Sequence, residues 1–483
     1  MLPELELIPH PSDDDFTGSV DAWEVVETTS TAVETFERTL RRRSTPSDDV
    51  EVLQGDLVDS DRYFGKQGLL HASLRADVIE LGPIVTGIGR TIWHYRNGVW
   101  IMGGDDEIRR RCRNLLGQRW RRSHVDGIVT DLAANEPFIT DAQPTDWVNT
   151  TSGLLDWRTG VLEPHTPTVA STYQLSCPWN PTATCPTVDV WLEQVAPADA
   201  IDLIWEVIGT AIYGAQPFHR AIMLFGPGRN GKSTLLRLIA ALIGPAHISA
   251  VTLHALSESR FASAELFGKV ANISGDLDAR SIGRTDIFKQ AVGADPINAE
   301  RKHGQPFTFT NRATMIFAAN ELPGSADLTE GFFSKWVVVP FTGLQLAPGD
   351  EDHTLEPRMH LELQGVLVKA VEGLRRAIDR GAYDRPASVA DATANYQTNA
   401  DPLRRFIDDE LDVTGNHTDT LPHRAVYHRY KTWCDDNGAK SLGANRFWTR
   451  LEASTSSNIV PNATAVRGDR HCSGVNFHAG SGL

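Results

Sequence analysis

Short apolar runs and longer apolar periodicities alternate through the middle of the chain, and they predict strands and helices in turn. Ala221–Phe225 is a continuous apolar run of strand length, as expected of a strand buried on both faces. Leu235, Ile239, Leu242 and Ile243 then recur at helical spacing, and Gly244-Pro245 stops that helix. Three more apolar runs follow, at Val270–Gly275, Thr314–Ala319 and Trp336–Val339. Strands alternating with helices predict a parallel α/β sheet, whose ligands gather at the carboxyl ends of the strands.

Upstream, Thr91–Tyr95 and Gly98–Ile101 read as two strands around a turn containing Asn97-Gly98, and Thr151–Gly160 reads as a second hairpin. Ile108–Trp120 reads as a basic helix carrying Arg109, Arg110, Arg111, Arg113 and Arg119, either a solvated face or a contact to nucleic acid or another subunit. Asp189–Tyr213 reads as helices. Downstream, residues 355–400 read as helical, and Pro402–Leu411, Arg424–Asn437 and Ala444–Leu451 as three helices. Ile459–Phe477 then reads as a hairpin with Arg467-Gly468-Asp469-Arg470 at its turn, an order that predicts a winged helix. The expected domains are therefore an acidic segment without fixed structure at 1–61, a mixed α/β domain at 62–175 and a helical linker at 176–215. A P-loop ATPase core at 216–345, a helical segment at 346–400 and a winged-helix-like domain at 401–483 complete the α/β fold class.

Composition narrows the picture. Of 483 residues, 41% are hydrophobic and 22% charged, as in soluble globular chains. No run of about 18 apolar residues predicts a membrane span, and the N-terminus lacks the basic-then-apolar order of a signal peptide. The five cysteines are scattered, which predicts idle free thiols in a reducing cytosol. The net charge of −16 argues against nucleic acid until it is located: residues 1–61 hold 16 acidic and 4 basic side chains, the remainder 46 and 42. The body is near neutral, so local basic patches can still meet phosphates.

Between the first strand and its helix lies Gly226-Pro227-Gly228-Arg229-Asn230-Gly231-Lys232-Ser233-Thr234, the pattern G-x-x-x-x-G-K-S. Such a loop lets backbone N–H groups converge on phosphate oxygens at a helix N-terminus. Lys232 suits the terminal phosphates of ATP, and the Ser233 hydroxyl suits Mg²⁺. Asp276, at the end of the next strand, is the expected metal-holding carboxylate, and Asp278 the candidate for polarising water. Asn320 ends the following strand and can hold the γ-phosphate or its water. Between those strands, a hairpin carries Arg301, Lys302 and His303 at its tip, a pattern suited to phosphate-backbone contact.

Together these residues resemble the superfamily 3 helicases of viruses, phages and plasmids: the loop GPGRNGKST, Asp276 and Asn320 spaced by 44 residues each from Lys232 onward, and the Lys302-His303 hairpin between. The resemblance is closer to the C-terminal helicase part of phage/plasmid primases and to poxvirus-type primase–helicases, and extends over roughly 90–480. It implies an AAA+-type ring, usually a hexamer, that hydrolyses ATP with Mg²⁺ between subunits and translocates on single-stranded or forked DNA in a bacterial host cytosol. By that resemblance Lys302 and His303, with Arg301, are the DNA-contacting tip, and a separate primase or polymerase is a partner. Two departures stand out. Where the family has a pair of arginines before its last core strand, one acting on the neighbour's nucleotide, this chain has Ser334-Lys335. Lysine keeps the charge but loses the bidentate fork, so Lys335 substitutes, Arg301 or Arg312 serves, or hydrolysis is weak. No primase-sized domain precedes residue 62, so priming is not expected. The rival reading is an ATP-switched DNA-binding initiator or primase accessory protein with little unwinding activity.

Overall fold

The computed structural model describes residues 60–478, apart from 136, 141–143, 279–281, 303–304, 326, 328, 348, 350, 400, 438, 440, 456–457 and 467–468. Residues 1–59 of the acidic segment, His303, and Arg467-Gly468 of the expected hairpin turn lie outside the described residues. The described chain falls into two compact units, one of residues 60–70 with Asn114–Trp120, the other of His71–Arg113 with residues 121 onward. In the small unit a two-residue strand pair, Phe64–Gly65 with Gly68–Leu69, follows a 3₁₀ turn. Arg119 pairs with Asp61 at 2.7 Å and stacks over the Phe64 ring.

The large unit begins with α1 (His71–Glu80) and the antiparallel strands β1 (Ile84–Gly87), β2 (Thr91–Arg96) and β3 (Val99–Met102). The β2–β3 turn has both central residues, Asn97 and Gly98, at positive φ, as a two-residue hairpin turn requires. Helices α2 (Gly104–Leu116) and α3 (Arg122–Leu132) follow. The arginines of α2 are occupied internally. Arg109 pairs with Asp105 and Asp106, Arg110 with Glu107, and buried Arg111 bonds Glu107 and the carbonyls of Val78 and Gly82. The role of buried Arg111 is structural, whereas Arg109 and Arg110 pair within their own helix on an exposed face. A three-stranded sheet of β4 (Trp147–Thr150), β5 (Gly153–Asp156) and β6 (Leu162–Glu163) precedes α4 (Pro186–Val195) and α5 (Ile201–Tyr213).

The central element is a five-stranded, all-parallel sheet. It is built from β7 (Ala221–Phe225), followed by α6 (Lys232–Ile243); β8 (Ile248–Ser249), followed by α7 (Leu253–Glu258); and β9 (Ala271–Ser274), followed by α8 (Asp286–Gly293). The antiparallel hairpin β10 (Pro296–Ala299) and β11 (Phe307–Thr310) leads to β12 (Thr314–Ala319), α9 (Glu330–Phe333) and β13 (Trp336–Pro340). Strand order is β8-β9-β12-β7-β13. Four of the five strands are the apolar runs expected from sequence, whereas two-residue β8 is too short to leave such a signal. One face of the sheet packs on α4, α5 and α6, around Trp191, Ile208, Leu235 and Ile239. The other packs on an aromatic cluster with Phe288, Phe317, Phe332 and Trp336, where Phe288 and Trp336 stack at 4.7 Å.

Beyond the sheet come α10 (Leu355–Leu361), α11 (Leu363–Arg380) and α12 (Ala387–Asn399). Helices α5 and α11 touch backbone to backbone: a Cβ on Gly209 would strike Ala370 O and Leu374 N, and one on Gly373 would strike Trp205 O. The remainder has its own core around Phe406, Tyr430 and Phe447. It comprises α13 (Pro402–Glu410), β14 (Leu411–Val413), β15 (Thr420–Pro422), α14 (His423–Asp436), α15 (Ala444–Ser454), then β16 (Val460–Val466), β17 (Asp469–Ser473) and β18 (Val475–Phe477). Strands β16 and β17 pair antiparallel, β15 joins β17, and β14 pairs with β18. All five cysteines are buried free thiols. Among the described residues no helix is long and apolar enough to cross a membrane.

Candidate functional site

Sheet register builds the site. Strand β7 lies between β12 and β13, with Phe225 opposite both Ala319 and Pro340. The residues that follow these strands therefore emerge together at one end: Gly226 after β7 and Asn320 after β12. Strand β9 flanks β12, with Ser274 opposite Phe317, so Asp276 emerges at the same end. A cleft of about 980 Å³ opens there, lined by Gly228–Thr234, Asp276 and Asn320. Three sequence-predicted segments, far apart in the chain, thus share one wall.

The loop between β7 and α6 is held by its own side chains. Gly226 has φ 155°, and a Cβ there would meet Asn230 Nδ2 and Phe341 O. Gly231, at φ 92°, caps α6 in the left-handed region that glycine tolerates. Lys232 is only 6% exposed. It donates to Gly226 O at 2.6 Å, Pro227 O at 2.9 Å and Asn230 Oδ1 at 2.8 Å. Burial lowers its pKa, and Asp276 opposes that shift by favouring the charged form. Asn230, itself buried, donates through Nδ2 to Phe341 O at 2.8 Å. That amide orientation follows from its partners, because an ammonium only donates and a carbonyl only accepts. Ser233 and Thr234 line the cleft from the first turn of α6.

The rest of the lining was not legible in the sequence. It is formed by Val190, Trp191 and Gln194 of α4 with Leu344, Leu346 and Leu355 from the segment after β13. Val190 is 55% exposed and Leu344 50%, large apolar side chains left on a cleft surface. Backbone bonds tie this segment to both sides: Leu344 N to Gln194 O at 2.8 Å, and Leu346 N to Arg229 O at 3.1 Å. Arg237 of α6 closes the rim through Glu356 of α10, with Nε 2.8 Å from both carboxylate oxygens.

The other sequence-predicted residues lie elsewhere. Asp278 is exposed, two residues beyond Asp276, and does not line the cleft. Lys335 precedes β13, and Ala221 N bonds its carbonyl at 2.7 Å. It is therefore at the start of the strands, about 15 Å of strand away from the glycine loop. Its ammonium lies beside Gly293. Arg301 and Lys302 stand on the β10–β11 connection, where Arg301 stacks over the Phe267 and Phe307 rings at 5.5 and 4.9 Å and Lys302 is exposed. Arg312 sits in the loop between β11 and β12.

Comparison with known proteins places this geometry in a context. Residues 72–197 match a family model described as D5 N terminal like, residues 398–462 one described as Poxvirus D5 protein-like, and residues 224–330 a family of unknown function, DUF5906. A putative helicase, L207/L206, of Acanthamoeba polyphaga mimivirus is 20% identical over 355 residues, covering 67% of this chain. The chain spans 37% of that relative's length. Two solved apo structures of the NrS-1 C-terminal region are 12% identical, with TM-scores of 0.44 and 0.47, and cover 83% of this chain and 98% of theirs. With D5-type models matching on both sides of the glycine loop and a helicase-named viral protein aligned along 67% of this chain, the chain is similar to proteins of the D5 primase–helicase type.

Proposed function

We propose that the chain is an ATP-dependent DNA helicase of superfamily 3, acting in phage, prophage or plasmid replication as a hexameric ring that moves along single-stranded DNA. The observation that carries this is the single cleft shared by the glycine loop, Asp276 and Asn320. Its residues fit Mg²⁺–ATP. The loop backbone and Lys232 suit the phosphates, and the exposed apolar wall of Val190 and Leu344 suits a nucleobase. Among the described residues no three His, Cys, Asp or Glu side chains cluster around a metal position. A cation held by Ser233 and Asp276 would thus share its coordination with phosphate oxygens, as Mg²⁺ in such sites does.

In this reading the nucleotide with its cation supplies the phosphoryl chemistry. Lys232 turns from its three internal acceptors toward phosphate, Asp276 orients the cation, and Asn320 holds a phosphate oxygen or water without adding negative charge. Asp278 polarises water only by a movement toward the cleft. Arg301, Lys302 and His303 form the DNA contact, the segment from Pro402 onward acts as a winged helix, and Lys335 faces a neighbour's nucleotide. The domain division into an α/β domain, a helical linker, an AAA+-type core and a winged helix belongs to the same proposal.

The test is ATP hydrolysis with and without single-stranded DNA. Turnover stimulated by DNA, and reduced at least about 100-fold in Lys232→Ala and Asp276→Ala, is expected. No hydrolysis with DNA and Mg²⁺ present sinks the proposal. Hydrolysis and duplex binding without strand displacement from a fork would turn it into the initiator or primase-accessory reading.

A further inference from the structure

At the other end of the sheet, where β7 and β13 begin, a second cavity of about 480 Å³ opens. Ser334 and Trp336, the neighbours of Lys335, line it, together with Arg220 ahead of β7 and Arg385 between α11 and α12. Among the described residues neither guanidinium has an ion-pair or hydrogen-bond partner. This is unusual for the region, because Arg376 pairs with Asp202 at 3.2 Å and Arg380 with buried Glu206 at 2.9 Å. Two acids share the wall, Glu330 and Asp384. Asp384 uses Oδ1 to accept the Arg385 backbone N–H at 2.9 Å, and the Glu206 carboxylate is already taken by Arg380 and by the Asp384 N–H. The charge that reaches Arg220 is that of Arg385: burial first, then this like charge, lowers the Arg220 pKa. Two unpaired, mutually repelling guanidiniums in one cavity are relieved by an anion, and their planar forks match a phosphate group.

We propose that Arg220 and Arg385 form a second phosphate-binding site, at the strand-start end of the sheet. The phosphate arrives on another molecule, because the glycine loop of the same chain lies at the far end of β7. Its source is the nucleotide held by a neighbouring copy, which rests on the ring reading above, or the backbone of a DNA strand. Lys335 does not complete this pair: it is absent from the cavity lining, while its two sequence neighbours contribute to it.

The experiment begins with inorganic tripolyphosphate titrated by calorimetry into full-length Lys232→Ala protein, in which the glycine-loop lysine is removed. Binding is expected to persist there, and to weaken at least about tenfold when Arg220→Gln and Arg385→Gln are added, with Arg220→Lys keeping part of it. No binding to Lys232→Ala, or equal binding with and without the arginine changes at an unchanged melting temperature, overturns the proposal. This titration needs no hydrolysis, so it stands even where the helicase reading fails. Two arms identify the source. If it is a neighbour's nucleotide, mixing the arginine double variant with Lys232→Ala restores turnover above the sum of the two alone. If it is DNA, the double variant binds single-stranded DNA with a slope of log K against log salt shallower by about 1.4. Tripolyphosphate loss with neither effect overturns the assignment to a phosphate-bearing partner.

Discussion

Asn230 is the residue whose replacement tests the resting state of the cleft most directly. Its side chain makes two bonds, accepting from Lys232 Nζ and donating to Phe341 O, each at 2.8 Å, and it is 2% exposed. Asn230→Ala leaves the Phe341 carbonyl buried without that donor, at a cost of about 1–3 kcal/mol. It also deprives the Lys232 ammonium of one of three acceptors. Two carbonyls remain, so that loss is near the lower end of about 1.5–3 kcal/mol for a bond to a charged group. The sum, about 2.5–4.5 kcal/mol, predicts a fall of about 3–5 °C in the melting temperature of the nucleotide-free protein, followed by circular dichroism. Because the Lys232 bond is counted in both single changes, Asn230→Ala and Lys232→Ala should be non-additive by about 1 kcal/mol. Mg²⁺–ATP should recover part of the loss, since a ligand that binds only the folded state stabilises it. A melting temperature within about 1 °C of wild type, or strict additivity in the double variant, would show that the bonds of Asn230 carry no stability and would remove the basis for a tethered loop.

Two other expectations concern the scaffold. Gly209→Ala places a methyl against Ala370 O and Leu374 N, which are backbone atoms of α11 and cannot turn aside. The gain in helix propensity, about 1 kcal/mol, is outweighed by overpacking of about 1–3 kcal/mol, so denaturant unfolding should shift toward lower stability; an unchanged or higher midpoint refutes the backbone contact. His247 accepts the Gln174 N–H through Nε2 at 3.4 Å, and burial, then the nearby Lys269 charge, lowers its pKa to about 4. The unfolded chain therefore binds the proton first. The stability this contributes is present above pH 6.5 and lost as pH falls toward 4, up to about 3 kcal/mol. His247→Gln should flatten that part of the pH profile, and an unchanged slope would place the loss in other groups.

How far the chain could be read in advance follows from what kind of signal each part leaves. The strands of the sheet are buried on both faces, so four of them appear as unbroken apolar runs. Only β8, with two residues, escapes. The glycine loop, Asp276 and Asn320 are recognisable because each sits immediately after such a run, and parallel register carries strand ends to the same edge. The basic helix was legible only in part, for a physical reason. Composition shows the charge of Arg109–Arg111 but not that Asp105, Asp106 and Glu107, one turn earlier, absorb it.

The unread wall of the cleft is of another kind. Val190 lies on an amphipathic helix and Leu344 in a loop, and nothing in either local pattern distinguishes a residue left exposed beside a ligand from one left exposed to water. Their meeting depends on Leu344 N bonding Gln194 O across a separation of 150 residues, a tertiary contact without a local signature. The same limit applies at the other end of the sheet. Motif comparison draws attention to Lys335 because its position in the chain is where a family arginine belongs. Position in the chain does not fix where a charge points. Lys335 lies near Gly293 and outside the cavity, whereas Arg220 and Arg385, separated by 165 residues and belonging to no motif, line one cavity without an ion-pair partner among the described residues. A charge needed by another molecule is better sought among guanidiniums that the fold leaves unpaired inside a cavity than at a motif position that lies outside it, since two like charges held together in a cavity gain most from an incoming anion.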